Sequence, residues 1–101
     1  MNKIMQILFI HGNYPAQFRG LAEDLGSQNI HDVRFLTARK DPEKYPIPGV
    51  TVEQYIDVDK SQGGSNPIQS IVNEQVERAQ IIQKEISRLA KDGFTPRLII
   101  F

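Results

Sequence analysis

His11, Gly12, Asn13, Gln17 and Arg19 fall in one short stretch directly after an apolar run, Met5-Gln6-Ile7-Leu8-Phe9-Ile10. An imidazole titrates near neutrality, so His11 can serve as a general base, donate to a bound acceptor or contact a phosphate. The alternative is a histidine hydrogen-bonded to nearby backbone, and no carboxylate partner for it is identifiable; no catalytic residue is assigned. Gly12 lets a ligand approach the backbone closely, and amides at the following helix start can hold an anion. The same glycine can equally serve turn geometry alone. Asn13, Gln17 and Arg19 supply neutral and cationic donors suited to sugar hydroxyls or phosphate, although helix starts carry such residues routinely. Arg39 and Lys40 follow a second apolar run and can either neutralise an acidic acceptor or form a solvated charge pair. His31 precedes that run, at the opposite rim, and reads as structural.

Several chemistries lack their residues. No G-x-G-x-x-G follows the first apolar run, and the second ends in Thr37-Ala38-Arg39 where a dinucleotide site wants an acid for the ribose. No G-K-[ST] follows a glycine loop, which excludes a P-loop. Two distant histidines and zero cysteines leave no ligand cluster for a metal and no disulfide. No cofactor is therefore expected. With 12 basic and 12 acidic residues the chain is formally neutral and has no basic stripe, so nucleic acid and anionic membranes are poor partners. The apolar run after Lys3 is too short to span a bilayer and lacks a signal-peptide cleavage site. Met1 reads as the natural start of a cytoplasmic protein.

The elements that position these residues follow from periodicity. Met5 to Ile10 has strand length; Phe18, Leu21, Ala22 and Leu25 recur at helical spacing, predicting a helix from about Ala16 to Gln28 with its exit at Gly26 or Asn29. Val33 to Thr37 is a second strand, Ala38 to Gly49 a proline-rich loop, and Val50 to Tyr55 a third strand. Asp57 to Pro67, glycine-rich at its centre, is the most flexible-looking stretch and is either a cleft-side loop or a plain connector. A long helix from about Pro67 to Lys91 follows, with an apolar stripe of Ile68, Ile71, Val72, Val76, Ala79, Ile82, Ile86, Leu89 and Ala90; Ile81 falls on its far side. Gly93 ends that helix and Pro96 bars its continuation, so a fourth strand begins near Arg97.

This pattern predicts an α/β fold: a partial Rossmann-like, doubly wound parallel sheet of four strands in order 3-2-1-4, with helices on both faces. The order switches between strands 1 and 4, which opens a crevice whose lips are the loop after strand 1 and the loop after strand 4. The second lip would begin beyond Phe101, so residues 1–101 read as the front of a larger domain. Leu98-Ile99-Ile100-Phe101 carries no charge, proline or bulge to blunt a sheet edge, which predicts self-association into a homo-oligomer through that strand.

The string Ile7-Leu8-Phe9-Ile10-His11-Gly12-Asn13-Tyr14-Pro15-Ala16-Gln17-Phe18-Arg19 resembles the amino-terminal region of bacterial family 4 glycosyltransferases. So do His31 to Arg39, Ile47-Pro48-Gly49-Val50, and Gly93-Phe94-Thr95-Pro96-Arg97-Leu98-Ile99-Ile100. The resemblance implies the GT-B arrangement, two Rossmann-like domains facing a cleft, the first mainly holding the acceptor and the second the nucleotide sugar. It implies a retaining, metal-independent transfer to a glycan or lipid-linked acceptor, with the important carboxylates in the second domain. Gly12 to Gln17 would line the cleft. On this view residues 1–101 are an incomplete acceptor-side domain without transferase activity of their own. The rival is a non-catalytic α/β binding or assembly module. A small nucleotide-binding oxidoreductase domain is opposed by the missing glycines and ribose acid.

Overall fold

Four short apolar runs make a single parallel sheet: β1 (Met5–Ile10), β2 (His31–Thr37), β3 (Val50–Gln54) and β4 (Leu98–Ile100), in spatial order β3-β2-β1-β4. The computed structural model describes residues 5–58 and 67–101. Residues 59–66, the centre of the glycine-rich stretch, lie outside the described residues. In register, Phe9 stands between Phe35 and Ile100, and Ile7 between Val33 and Leu98. The strand order and parallel sense agree with the sequence pattern, and the ends differ by one or two residues.

Strand alternation sends side chains to two faces, each with its own core. On one face Ile7, Phe9, Val33 and Phe35 pack with Tyr14, Ala22 and Ile47, and with Phe18 and Leu25 partly buried beside them. The Phe9 and Phe35 rings stack at 5.7 Å, and Tyr14 meets Phe35 edge-on at 4.7 Å. Burial of each such ring contributes about 1.5 to 3 kcal/mol, making this cluster the main stabiliser of the β1–β2 half. The helix on this face, α1 (Arg19–Ser27), is shorter than its periodicity suggests and is preceded by a 3-10 turn at Ala16–Phe18. The turn folds the Phe18 ring inward to within 5.7 Å of Phe9. Gly26 lies inside α1 and not at its exit, and Asn29 takes the left-handed conformation after it.

Gly26 has a packing role. A Cβ there would sit 2.9 Å from the Pro48 carbonyl oxygen, because α1 rests directly on the turn that leads into β3. The partner in that contact, Gly49, adopts φ +80°, and its own Cβ would run into the Gly26 carbonyl. Two glycines thus bring two backbones together.

On the opposite face Leu8 and Leu36 pack with Tyr55, Leu89 and Phe94, joined by Ile10, Ile81, Ile82 and Ile86. Most of these contacts come from α2 (Pro67–Lys91), whose bounds match those predicted. Its end is a Schellman arrangement: the Phe94 amide donates to the Leu89 carbonyl at 2.8 Å, the Gly93 amide to that of Ala90 at 3.1 Å, and Gly93 sits at φ +95°. Gln6 then pins the connection to β4, accepting from the Thr95 amide at 2.7 Å and donating to the Gly93 carbonyl at 3.2 Å.

The packed face of α2 keeps Ile82, Ile86 and Leu89 of the predicted stripe and departs from it elsewhere. Ile81, assigned to the far side, packs against the core, and Arg78 and Glu85 are half-buried, whereas Ile68, Ile71, Val72 and Val76 are exposed. Two causes combine. At about 1.5 Å per residue, 25 helical residues span roughly 37 Å, longer than any strand here, so the amino-terminal half of α2 overhangs the sheet. The carboxyl-terminal half meets a sheet face that carries Arg34 and Glu53 on β2 and β3, which pair at 3.3 Å, and Arg88 of α2 reaches Glu53 at 3.5 Å. Polar partners on the sheet turn the helix toward its half-polar side. Its remaining apolar flank lines a groove of about 590 Å³ with Ile10, Ala79, Ile82, Ile86, Ile99 and Phe101. Among the described residues no helix is long and apolar enough to cross a membrane.

Candidate functional site at the carboxyl ends of the strands

Parallel strands deliver their carboxyl ends to one rim, and three loops meet there. The His11 amide donates to the Leu36 carbonyl at 3.1 Å, extending β1–β2 pairing by one residue, and the Tyr55 amide donates to the Thr37 carbonyl at 2.9 Å, doing the same for β2–β3. Thr37 locks the centre. It is fully buried, its hydroxyl donates to the Gly12 carbonyl at 3.2 Å, and the same oxygen accepts from the Arg39 amide at 3.1 Å. Thr37 was not among the residues singled out from sequence. Its only signal is a hydroxyl at the end of an apolar strand, where the next turn has orphaned backbone groups.

His11 is half-buried, and its Nδ1 accepts from the Asn13 amide at 3.0 Å, while its ring meets Phe18 edge-on at 5.9 Å. With Nδ1 engaged as the acceptor, Nε2 is the ring's other hydrogen-bonding position. Gly12 and Asn13 are exposed beside it. Gly12 is outside the left-handed region, and a Cβ there would meet only the Tyr55 hydroxyl, at an ordinary 3.8 Å. Neither backbone conformation nor packing requires a glycine at this position. Gln17 is exposed on the 3-10 turn that follows, and that turn and α1 have no side-chain cap and no acidic residue in their first turns. The turn runs directly into α1, and the Phe18 amide already donates to the Pro15 carbonyl at 3.2 Å.

Arg39 and Arg19 hold the second loop against the first. Arg39 donates from Nε to Asp41 Oδ1 at 2.7 Å and from Nη1 to the Tyr14 carbonyl at 2.8 Å, and its guanidinium lies 4.1 Å from the centre of the Tyr45 ring. The Arg39 hydrogen bond holds the Asp41 carboxyl below its ordinary range, and Asp41 in return raises the guanidinium. Tyr14, buried, donates its hydroxyl to the Tyr45 carbonyl at 2.5 Å, and Arg19 Nη2 reaches the Pro46 carbonyl at 3.3 Å. The segments 11–19 and 39–47 thus form one surface. Within it Arg39 is committed to a carboxylate, a carbonyl and a ring, while Gly12, Asn13 and Gln17 are exposed and His11 is half-buried against Phe18. Lys40 is exposed at the same rim, and His31 opens β2 at the opposite one.

Two further groups come to the rim from β3 and α2. Tyr55 follows β3 and stands beneath the Gly12 turn; burial first, then the Asp57 charge, raises its hydroxyl pKa, so it stays protonated. Arg78 clamps Asp57 through two bonds, Nε to Oδ1 at 2.8 Å and Nη2 to Oδ2 at 3.2 Å, and also binds Glu74 at 2.9 Å. The Asp57 hydrogen bond is the main reason the Arg78 guanidinium is held charged well beyond its ordinary range. Among the described residues no three His, Cys, Asp or Glu side chains converge on a possible metal position. The rim can bind a neutral or anionic polar ligand through imidazole, amide and hydroxyl groups.

No curated protein and no solved structure matches the chain. The family model of the glycosyl transferase family 4 group matches residues 29–101, the part that carries β2, β3, α2 and β4. The match spans more than half of the 101 residues and coincides with a parallel sheet in order β3-β2-β1-β4. The chain belongs to the glycosyl transferase family 4 group.

Proposed function

We propose that this chain supplies the acceptor-holding part of a glycosyltransferase. A saccharide acceptor, glycan or lipid-linked, lies against the Gly12 turn while a sugar is transferred to it from a nucleotide-sugar donor in the cytoplasm. The observation that carries the reading is Gly12 itself: a glycine that its own fold does not need, at the switch between β1 and β4, flanked by half-buried His11 and exposed Asn13 and Gln17. Family membership supports sugar chemistry at that rim. The nucleotide sugar is held on a second Rossmann-like domain, and residues 1–101 do not catalyse transfer alone. In support, Asp57, the acid nearest Tyr55 at the rim, is tied to Arg78 and is not free to act on a substrate.

Amide NMR during titration with simple sugars tests the assignment. Methyl α-glucoside, methyl α-galactoside, methyl α-mannoside and N-acetylglucosamine are each taken into the high-millimolar range. At least one should shift the resonances of residues 11–18 and 37–39 and leave those of α2 unmoved. Sugars that shift none of these residues, or micromolar binding of a nucleotide sugar to this chain, would overturn it.

A second reading rests on the edge of the sheet. Leu98 and Ile99 of β4 are 43% and 38% exposed, and among the described residues β4 pairs with β1 alone. We propose that a second copy of this chain adds there, strand to strand, burying that apolar edge. Light scattering over a dilution series should report a dimer that Ile99→Lys abolishes; a parent chain that stays monomeric at high concentration removes the idea.

A further inference from the structure

Tyr55 is 4% exposed as a residue and no hydrogen bond to its hydroxyl is found among the described residues, yet that oxygen is not one of the buried polar atoms left without a partner, so it opens to solvent. The ring of such a tyrosine packs as an apolar body, while a hydroxyl that opens to solvent can exchange water for a ligand group. Tyr14, 0% exposed, has its partner inside the protein, donating to the Tyr45 carbonyl. The Tyr55 oxygen is the heavy atom that a Gly12 side chain would meet first, at 3.8 Å, so it is aimed at the open face of the turn. Its ring is fixed from three sides: Leu36 and Leu89 pack with it, its amide is bonded to Thr37, and the Arg78–Asp57 pair holds the chain just beyond it. Ring and backbone are ordered before any ligand arrives, and only the hydroxyl is left over.

We propose that the Tyr55 hydroxyl is a direct ligand for a hydroxyl group of the acceptor saccharide seated on the Gly12 turn. This rests on the acceptor-holding role given above and adds a specificity-determining residue to it. The ligand class follows from charge. Two guanidinium groups at this corner are occupied, Arg39 by Asp41 and Arg78 by Asp57 and Glu74, while Arg19, on the Pro46 carbonyl, and exposed Lys40 stand at the same rim. The charges acting on the Tyr55 hydroxyl are Asp57 and Arg78, which pair with each other, so the protonated phenol suits an uncharged polyol, to which it can both donate and accept. The absence of a Cβ on Gly12 leaves the room for that hydroxyl to approach.

Tyr55→Phe tests this in the intact chain, because it keeps the ring and removes one oxygen. Its melting temperature should be no lower than that of the parent, since no protein hydrogen bond is lost. The sugar that shifts the Gly12 turn in the parent should bind the variant about five- to tenfold more weakly, the range of a neutral hydrogen bond. A lower melting temperature would mean that the hydroxyl is bonded within the protein, and would refute the proposal. Equal sugar affinity in parent and variant would refute it while leaving the acceptor site at the turn standing. If no sugar shifts the turn at all, both fall. Inorganic phosphate is the comparison ligand: phosphate binding at the turn that Tyr55→Phe weakens, without sugar binding, overturns the choice of a neutral polyol.

Discussion

Gly49→Ala should lower the melting temperature by about 10 °C or more, as a single added methyl group in a loop rarely does. Two costs add. The backbone at φ +80° strains any residue with a Cβ, by about 1 to 3 kcal/mol. That Cβ would also run into the Gly26 carbonyl and lie 3.0 Å from its Cα, an overpacking that costs about another 1 to 3 kcal/mol when backbone has to move. Their sum is a large part of the roughly 5 to 15 kcal/mol that holds a domain folded. Two other glycines separate the contributions. Gly93→Ala has the strain alone, at φ +95° with nothing within 4 Å, and should cost about 1 to 3 kcal/mol. Gly20→Ala has neither and lies in α1, so it should stabilise by about 0.5 to 1 kcal/mol. Thermal melts of the three variants check the series. A Gly49→Ala melt within a few degrees of the parent would show that the contact between α1 and the β3 approach relaxes without cost.

Gly12→Val should do the reverse, abolishing function while sparing the fold. Its Cβ would meet only the Tyr55 hydroxyl at 3.8 Å, and the backbone there is outside the left-handed region, so the melting temperature should stay within about 2 °C of the parent. Binding is another matter. The branched side chain would stand where the proposed acceptor site lies and would screen it from the Tyr55 hydroxyl. A loss of at least about a hundredfold in saccharide affinity, roughly 2.7 kcal/mol, is expected in the same NMR titration. His11→Ala is the companion, removing Nε2 while the Asn13 amide loses its partner. If Gly12→Val unfolds the chain as Gly49→Ala should, and the folded fraction still binds sugar as the parent does, then Gly12 is a turn residue only.

The architecture was legible in the residues because it rests on local regularities. Strand-length apolar runs, a helical stripe ending at Gly93, and prolines placed where no crossover helix can run led to the order β3-β2-β1-β4 and to the bounds of α2. The rim that carries His11, Gly12, Asn13 and Gln17 followed from that order, since parallel strands end together. The family was legible too, although the match lies in residues 29–101 and not in the block after β1 on which the resemblance most relied.

What only the tertiary structure decided is which group meets which across distance along the chain. The side of α2 that is buried depends on Arg34 and Glu53, charged residues of two strands that lie beneath it, so Ile81 packs inward while Val72 and Val76 do not. Gly26 and Gly49 owe their identity to a backbone contact between segments 23 residues apart in number, and nothing local marks either one as its partner. Arg39 is engaged by Asp41, the Tyr14 carbonyl and the Tyr45 ring, a set assembled from two loops. Tyr55 read simply as the last residue of a strand. It became a candidate ligand because the fold buries its ring, leaves its hydroxyl unbonded among the described residues and sets that oxygen under a glycine 43 positions earlier. Periodicity encodes the face a residue turns to the core, whereas hydrogen-bond partnership and backbone contact are fixed only when distant segments pack.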